Sequence, residues 1–556
     1  MTLIFFSLAW LMPNHYPPWV NFHSEFLAFL GLGFLTVTSL KKFHGNIAVP
    51  RIAVAAFALA TIPWAQHIAS LVFYTGDAFV SSFYCIGLAV AINLGCGHSS
   101  QRAETGGEGW MLPAHFLLIA ALASGLIAVL QWLSLTDSFA TFITPTDIGD
   151  RAMANLGQPN QLGTLLLMGV VALVLLFEML KISQLLLILG AAFLTWAIVL
   201  TESRTTMLSA LVIAGFLLYK IRTRQLSGAP LRLQNLHIVL WLSLFCLAVL
   251  SLPWVNSALL LAADRDVALL NNNGRVVIWL QTLYAIYEAP WFGYGWNQSP
   301  VAQSVGALYY PGELAFTNAH NIVLEVVAWV GLPLGLIITA GFAYWLNARV
   351  KGVKSTQAIC AMAMLLPVLV HSLLEFPFAY AYFLLTAGLL IGVVEAACVT
   401  NVRYFFNRRV ASVALAILSV VGCYSAYEYL LIEEDYRVAR FENLKVGTTP
   451  SDYSQPHILV HTQLAALVTA LRQPAVRGMS SVDMERLRKA SLRFGMRPLV
   501  FRYAVALGLN GQPVAADQQM QMFRGMFGER AYQRFKTEIR ILQAENYPEL
   551  SALKLP

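Results

Sequence analysis

The chain has 556 residues, 58% of them hydrophobic and only 12% charged, against roughly 25% charged in an ordinary soluble domain. Lipid is therefore expected to be its main solvent. The formal charge of +7 is spread between apolar runs and along the C-terminal tail. No dense basic block with interleaved aromatics occurs, which excludes a nucleic-acid partner.

Apolar runs long enough for a hydrocarbon core of about 30 Å recur until about residue 430 and then stop. They predict thirteen spans, near residues 2–13, 24–40, 51–68, 78–96, 112–133, 160–179, 183–200, 206–220, 236–255, 321–346, 356–371, 379–397 and 410–426. Several runs are short, so counts from eleven to fourteen are compatible with the pattern. The first run lacks a basic flank and a small-residue cleavage site, and reads as an uncleaved span. The six cysteines all lie in or beside apolar runs, which favours buried free thiols over disulfides.

Lys and Arg set the expected orientation. One set of loops carries Lys41, Lys42, Arg51, Arg102, Lys181, Lys220, Arg222, Arg224, Arg232, Arg349, Lys351, Lys354, Arg403, Arg408 and Arg409, whereas the other carries only Arg151, Arg204, Arg265 and Arg275. The N-terminus is thus expected in the cytoplasm. An odd number of spans then leaves the tail outside, in the periplasm of a bacterial inner membrane. The expected domains are a transmembrane part, residues 1–426, with outer loops 134–159 and 256–320, and an all-helical periplasmic domain, residues 427–556. In the tail, Leu459, Leu464, Leu467, Val468 and Leu471 recur at helical spacing, with breaks at Pro474, Gly511 and Pro513. The fold class is all-α, a polytopic membrane helix bundle with a small helical appendage.

Long outer loops are where function concentrates. Asn155-Leu156-Gly157-Gln158-Pro159-Asn160-Gln161 places amides and glycine at the start of a span. It serves either as a helix cap with a Pro turn or as a site for a hydroxyl-rich ligand. Arg204, in Thr201-Glu202-Ser203-Arg204, is either an interfacial arginine reaching the headgroups or an anion clamp. Arg275, in Asn273-Gly274-Arg275-Val276, is either an ordinary loop arginine or helix start, or a second anion clamp. A guanidinium offers two parallel charge-assisted bonds to a phosphate and stays protonated at physiological pH. Asp147 with Asp150 and Asp264 with Asp266 read as ordinary loop carboxylates. Gly293-Tyr294-Gly295-Trp296-Asn297 lacks the third glycine of a phosphate loop and reads as a tight turn.

His320 opens a span in Asn318-Ala319-His320-Asn321, with Asn321 and Glu325 spaced i, i+4. A helix start favours anions, and a neutral imidazole can act as a base. His371 ends another span and precedes Glu375 by four residues. For His371 a structural hydrogen bond is the simpler reading. No Cys-x-x-Cys, His-Glu-x-x-His or Gly-x-Ser-x-Gly pattern occurs.

These residues, in this order, resemble the O-antigen ligase superfamily. The opening Pro13-Asn14-His15-Tyr16-Pro17-Pro18-Trp19, the Gly157-Gln158-Pro159-Asn160-Gln161 segment and the helical tail resemble more closely its branch of bacterial protein O-oligosaccharyltransferases. The resemblance implies a GT-C-like ligase bundle in which Arg204 and Arg275 contact pyrophosphate and His320 is the essential histidine. It makes one of Gln158 and Gln161, and one of Tyr380 and Tyr382, further functional positions. It brings Asn160, Asn321, Glu325, His371 and Glu375 into the substrate site. The implied donor is an oligosaccharide on undecaprenyl pyrophosphate, and the implied acceptor a Ser or Thr hydroxyl of a pilin or other exported protein. The implied reaction is an inverting displacement without metal or cofactor. The alternatives are transfer to lipid A core, glycan polymerisation and, from a different class, transport of the lipid-linked sugar. A transporter would carry polar residues through the midplane and repeated halves.

Overall fold

A segment in lipid must satisfy its backbone groups internally, so apolar runs of this length become helices. The computed structural model describes all residues except 43–44, 106–107, 148–149, 224–230, 262–272, 399–402, 546 and 556. Arg224, Asp264, Arg265 and Asp266, named above, lie outside the described residues. Among the described residues the chain is helical apart from one antiparallel pair, Ile47–Pro50 against Arg403–Phe406.

Among the described residues eight helices are long and apolar enough to cross a membrane, and three shorter apolar helices, Thr2–Leu11, Gln184–Leu200 and Thr356–Ser372, accompany them. This is a multi-pass membrane protein. Leu236, Leu240, Leu244, Leu247 and Leu250 of the helix Asn235–Ala258 stand exposed, a row of aliphatic surface that suits lipid and not water. The two other expected spans are interrupted. Residues 51–68 form Arg51–Leu59 and Ile62–Ile68, with Pro63 in the first turn of the second helix. Residues 321–346 form all of Ile322–Val330 and most of Leu332–Gly352, parted at Gly331. Gly331 has φ +82°, and a Cβ there would lie 2.2 Å from the Trp291 carbonyl oxygen.

The chain packs as two units. One comprises Met1–Leu59, Tyr84–Val267 and Ala343–Val420; the other comprises Ala60–Phe83, Ala268–Phe342 and Val421–Pro556. At the centre of the first lies the helix Pro159–Glu178, buried along almost its whole length. It packs against Leu112–Trp132, Gln184–Leu200, Arg204–Arg222 and Thr356–Ser372. Small residues allow the close approach: a Cβ on Gly163 would fall 2.0 Å from Thr206 Oγ1, and one on Gly169 would fall 2.4 Å from the Ala121 Cβ.

In the second unit the tail helices Thr462–Arg472, Ser481–Phe494, Arg497–Leu509 and Pro513–Glu545 close on a core that includes Val500, Ala504, Phe523, Met526 and Tyr532. This core extends to Ala307, so the tail packs with segments from much earlier in the chain. Arg493 binds Asp77 through Nε and Nη2 at 2.9 and 2.7 Å, with Asp77 only 2% exposed. All six cysteines are free; Cys85, Cys96 and Cys360 are buried, whereas Cys246 and Cys423 are exposed, contrary to the burial expected of them.

Candidate active site

In the first unit a buried amide begins the construction. Gln131 accepts from the Met153 and Ala154 N–H groups and donates to Thr144 O and Ala154 O. Asn155 donates to Leu11 O and Phe142 O and accepts from Thr144 N. Gly157, at φ +70°, then turns the chain into Gln158, the N-cap of Pro159–Glu178. Pro159 in the first turn leaves no missing bond there.

This turn fixes a continuous polar cluster. Asn160 donates to Glu375 Oε1 at 3.3 Å and accepts from Ser203 Oγ at 2.7 Å. Gln161 donates to Gln158 Oε1 at 3.0 Å and accepts from the Tyr382 hydroxyl at 2.8 Å. Thr164 Oγ1 donates to Asn160 O and lies 2.9 Å from His371 Nδ1. Tyr380 stacks on Tyr382 with ring centroids 5.6 Å apart. Gln158, Asn160, Gln161, His371, Glu375, Tyr380 and Tyr382 are thus brought together. Gln161 and Tyr382 are fully buried, whereas Gln158 and Tyr380 are half-buried. Within each pair, the buried member braces the half-buried one.

Ser203 has two tasks, since its hydroxyl also caps the helix Arg204–Arg222 by accepting from Thr206 N. Arg204, exposed, is the first residue of that helix. A cation there opposes the helix dipole. Stability alone does not select it, and it adds to an already positive end suited to an anion.

In the second unit four buried glutamines clamp the loops. Gln66 donates to Trp329 O and accepts from Trp296 N; Gln298 donates to Tyr294 O and Leu71 O and accepts from Phe73 N. Gln281 donates to Tyr310 O, and Gln303 donates to Leu314 O and accepts from Phe316 N. The tail adds Gly525, whose carbonyl accepts from Gly312 N at 2.7 Å. The Gly293-to-Asn297 segment is a turn held by Tyr294 N to Ala328 O at 2.8 Å.

His320 lies where this loop enters the helix Ile322–Val330. It is half-buried and left-handed, at φ +54°, a conformation that costs a non-glycine residue about 1–2 kcal/mol. The loop is over-determined by Glu325, which is 0% exposed and accepts from Ser299 Oγ, Ala319 N and Asn318 Nδ2. Ser299 in turn accepts from Trp329 Nε1 at 3.0 Å. Asn321 is the N-cap, accepting from Val323 N and Leu324 N. Asn321 and Glu325 therefore do not share an open face with His320; their side chains set its direction. Arg275 is half-buried in the first turn of Asn273–Glu288, a helix that packs against Ile322–Val330. Arg204 belongs to the other unit.

Sequence reasoning missed Ser203, Thr164, Ser299 and the four glutamines as supports. The signal was available for Ser203 in its N-cap position, and for the glutamines as amides inside apolar segments that need partners.

The chain matches three family models. Residues 152–177 match the protein glycosylation ligase family, residues 185–340 the O-antigen ligase family, and residues 359–540 the C-terminal region of the virulence factor membrane-bound polymerases. It is 29% identical over 532 residues to the general O-oligosaccharyltransferase of Acinetobacter baylyi, covering 94% of this chain and 90% of that one. It is also 29% identical over 411 residues to the ComP-specific O-oligosaccharyltransferase of the same organism, covering 73% of this chain and 72% of that one. With these likenesses the multi-pass bundle is a membrane glycosyltransferase. Within that class the chain is similar to the O-oligosaccharyltransferases and shares the O-antigen ligase and protein glycosylation ligase signatures.

Proposed function

We propose that the chain moves an oligosaccharide en bloc from undecaprenyl pyrophosphate to Ser or Thr hydroxyls of a pilin or other exported protein, on the periplasmic face of the inner membrane. The setting of His320 supports this reading most. A half-buried histidine with a left-handed backbone sits in a loop that the buried Glu325 carboxylate holds through Ala319 N–H and that enters a helix capped by Asn321, as a positioned base requires. A neutral imidazole removing the acceptor proton gains about 10²–10⁴-fold. Arg275 and Arg204, each in the first turn of a helix, are assigned to the negative charge that builds on the departing pyrophosphate. Gln158 and Tyr380 are assigned to the sugar, with Gln161, Tyr382, Asn160, Glu375 and His371 holding them in place. The displacement proposed is inverting and needs no metal or cofactor.

Incubating the purified chain with lipid-linked oligosaccharide and an acceptor protein, with chelator present, tests this reading. A glycan-sized mass increase on the acceptor is expected. No increase, together with altered lipopolysaccharide banding in a deletion strain, would overturn it in favour of transfer to lipid A core. The matches to the O-antigen ligase and polymerase families keep that second reading in view.

A further inference from the structure

In the first unit the strand Ile47–Pro50 follows the helix Phe22–Lys42, and its partner Arg403–Phe406 precedes the helix Arg408–Leu444. Both helices are long and apolar enough to cross a membrane. The two-stranded ribbon therefore lies where two spans leave the bilayer, at the level of the headgroups. Successive residues of a strand point to opposite faces, so Tyr404 and Phe406 share one face and Phe405 takes the other. All three are open, at 52, 50 and 70% exposure, which leaves aromatic surface bare on both sides of the ribbon. An isolated pair of such short strands is at best marginal in water, whereas aromatic side chains gather at the membrane interface.

Charge supplies a second, independent observation. Lys41 and Lys42 end the first helix, Arg51 follows Pro50, and Arg408 and Arg409 open the second helix. The pairing of Ile47 with Phe406 brings the segments leading to Lys42 and to Arg408 to one end of the ribbon, and the pairing of Pro50 with Arg403 puts Arg51 at the other. Lys41, Lys42, Arg51 and Arg409 are exposed and Arg408 is half-buried. None of the five forms an ion pair among the described residues, and neither 41–51 nor 403–409 contains an Asp or Glu. Arg408 and Arg409 stand in the first turn of their helix, where a cation opposes the dipole, so helix stability does not select them. Lysines and arginines clustered beside a span attract anionic lipid. We infer that the ribbon is a binding site for anionic phospholipid of the bilayer, with headgroup phosphates at Lys41, Lys42, Arg408 and Arg409 and the upper acyl chains against the aromatics. A soluble acidic partner would match the cations but not the aromatics; a lipid surface matches both.

The test uses the full-length chain in nanodiscs of mixed phosphatidylglycerol and phosphatidylcholine, with Phe405 replaced by photoreactive benzoylphenylalanine and the adducts identified by mass. Lipid adducts are expected, with phosphatidylglycerol over-represented relative to the bilayer. Arg408→Gln combined with Arg409→Gln should lower that preference about fivefold for each charge removed. Raised salt should lower it in the chain that keeps both arginines, a comparison that does not depend on the variant folding. Adducts in the proportions of the bilayer, or a preference that neither salt nor the loss of both arginines changes, would overturn the inference. Cross-links to a second copy of the chain in place of lipid would overturn it as well, by making the ribbon a contact between copies.

Discussion

His320 stands in the left-handed region of the backbone, in a loop that Glu325 fixes through Asn318 and Ala319. His320→Ala is expected to abolish glycan transfer with membrane abundance unchanged; an active variant would remove the assigned base. Glu325→Ala leaves Ala319 N–H and two side-chain donors without their acceptor. A buried donor left without its acceptor costs about 1–3 kcal/mol, so kcat should fall about tenfold, with KM for the donor less affected. Equal kcat in wild type and variant would show that the loop holds itself. The motif around His320 was legible in the sequence, but the inward turn of Glu325 was not. An i, i+4 spacing says which residues share a helical face, not which of them the loop before the helix will claim.

At the scale of the element, helices were legible wherever an apolar run was long and unbroken. They were not where backbone geometry intervened, as at Gly331, whose close approach to Trp291 depends on residues forty positions earlier in the chain. The four-residue strand pair was equally hidden, since each strand gains its partner only across some 350 residues. Lys220 and Arg349 read as loop cations that mark the cytoplasmic side. Instead Lys220 is 0% exposed and donates to Lys351 O and Val353 O, while Arg349 pairs with Glu395 at 2.7 Å. Their charge serves helix ends and packing.

Two predictions belong to the tail elements. Arg493→Ala would leave Asp77 buried and uncompensated, and should destabilise the second unit by about 3–5 kcal/mol in thermal unfolding; an unshifted unfolding temperature would contradict this. His461 is buried, with Nε2 bonded to Ser425 at 2.8 Å, and burial holds its pKa below the usual histidine value in spite of Ser425 and Glu428. The unfolded tail takes up this proton near pH 6.5, the folded tail only at lower pH. Stability is therefore full above about pH 6.5 and declines as pH falls toward the lowered folded value. Thermal unfolding between about pH 5 and 8 should show this slope, and His461→Gln should flatten it; an identical slope in the variant would assign it to another group.

For the whole molecule, the sequence carried the class of the protein because lipid imposes a strict code on composition. It did not carry the partition into units, in which the tail folds together with residues 60–83 and 268–342. Such contacts are made by close backbone approaches, as between Gly525 and Ala307, that leave no periodic trace. The most direct test of glycan transfer by His320 is a paired assay in chelator, with wild type and His320→Ala given the same undecaprenyl-pyrophosphate oligosaccharide and acceptor protein. Glycosylated acceptor from the wild type alone is the expected result. Equal product from both, or none from either, would contradict it.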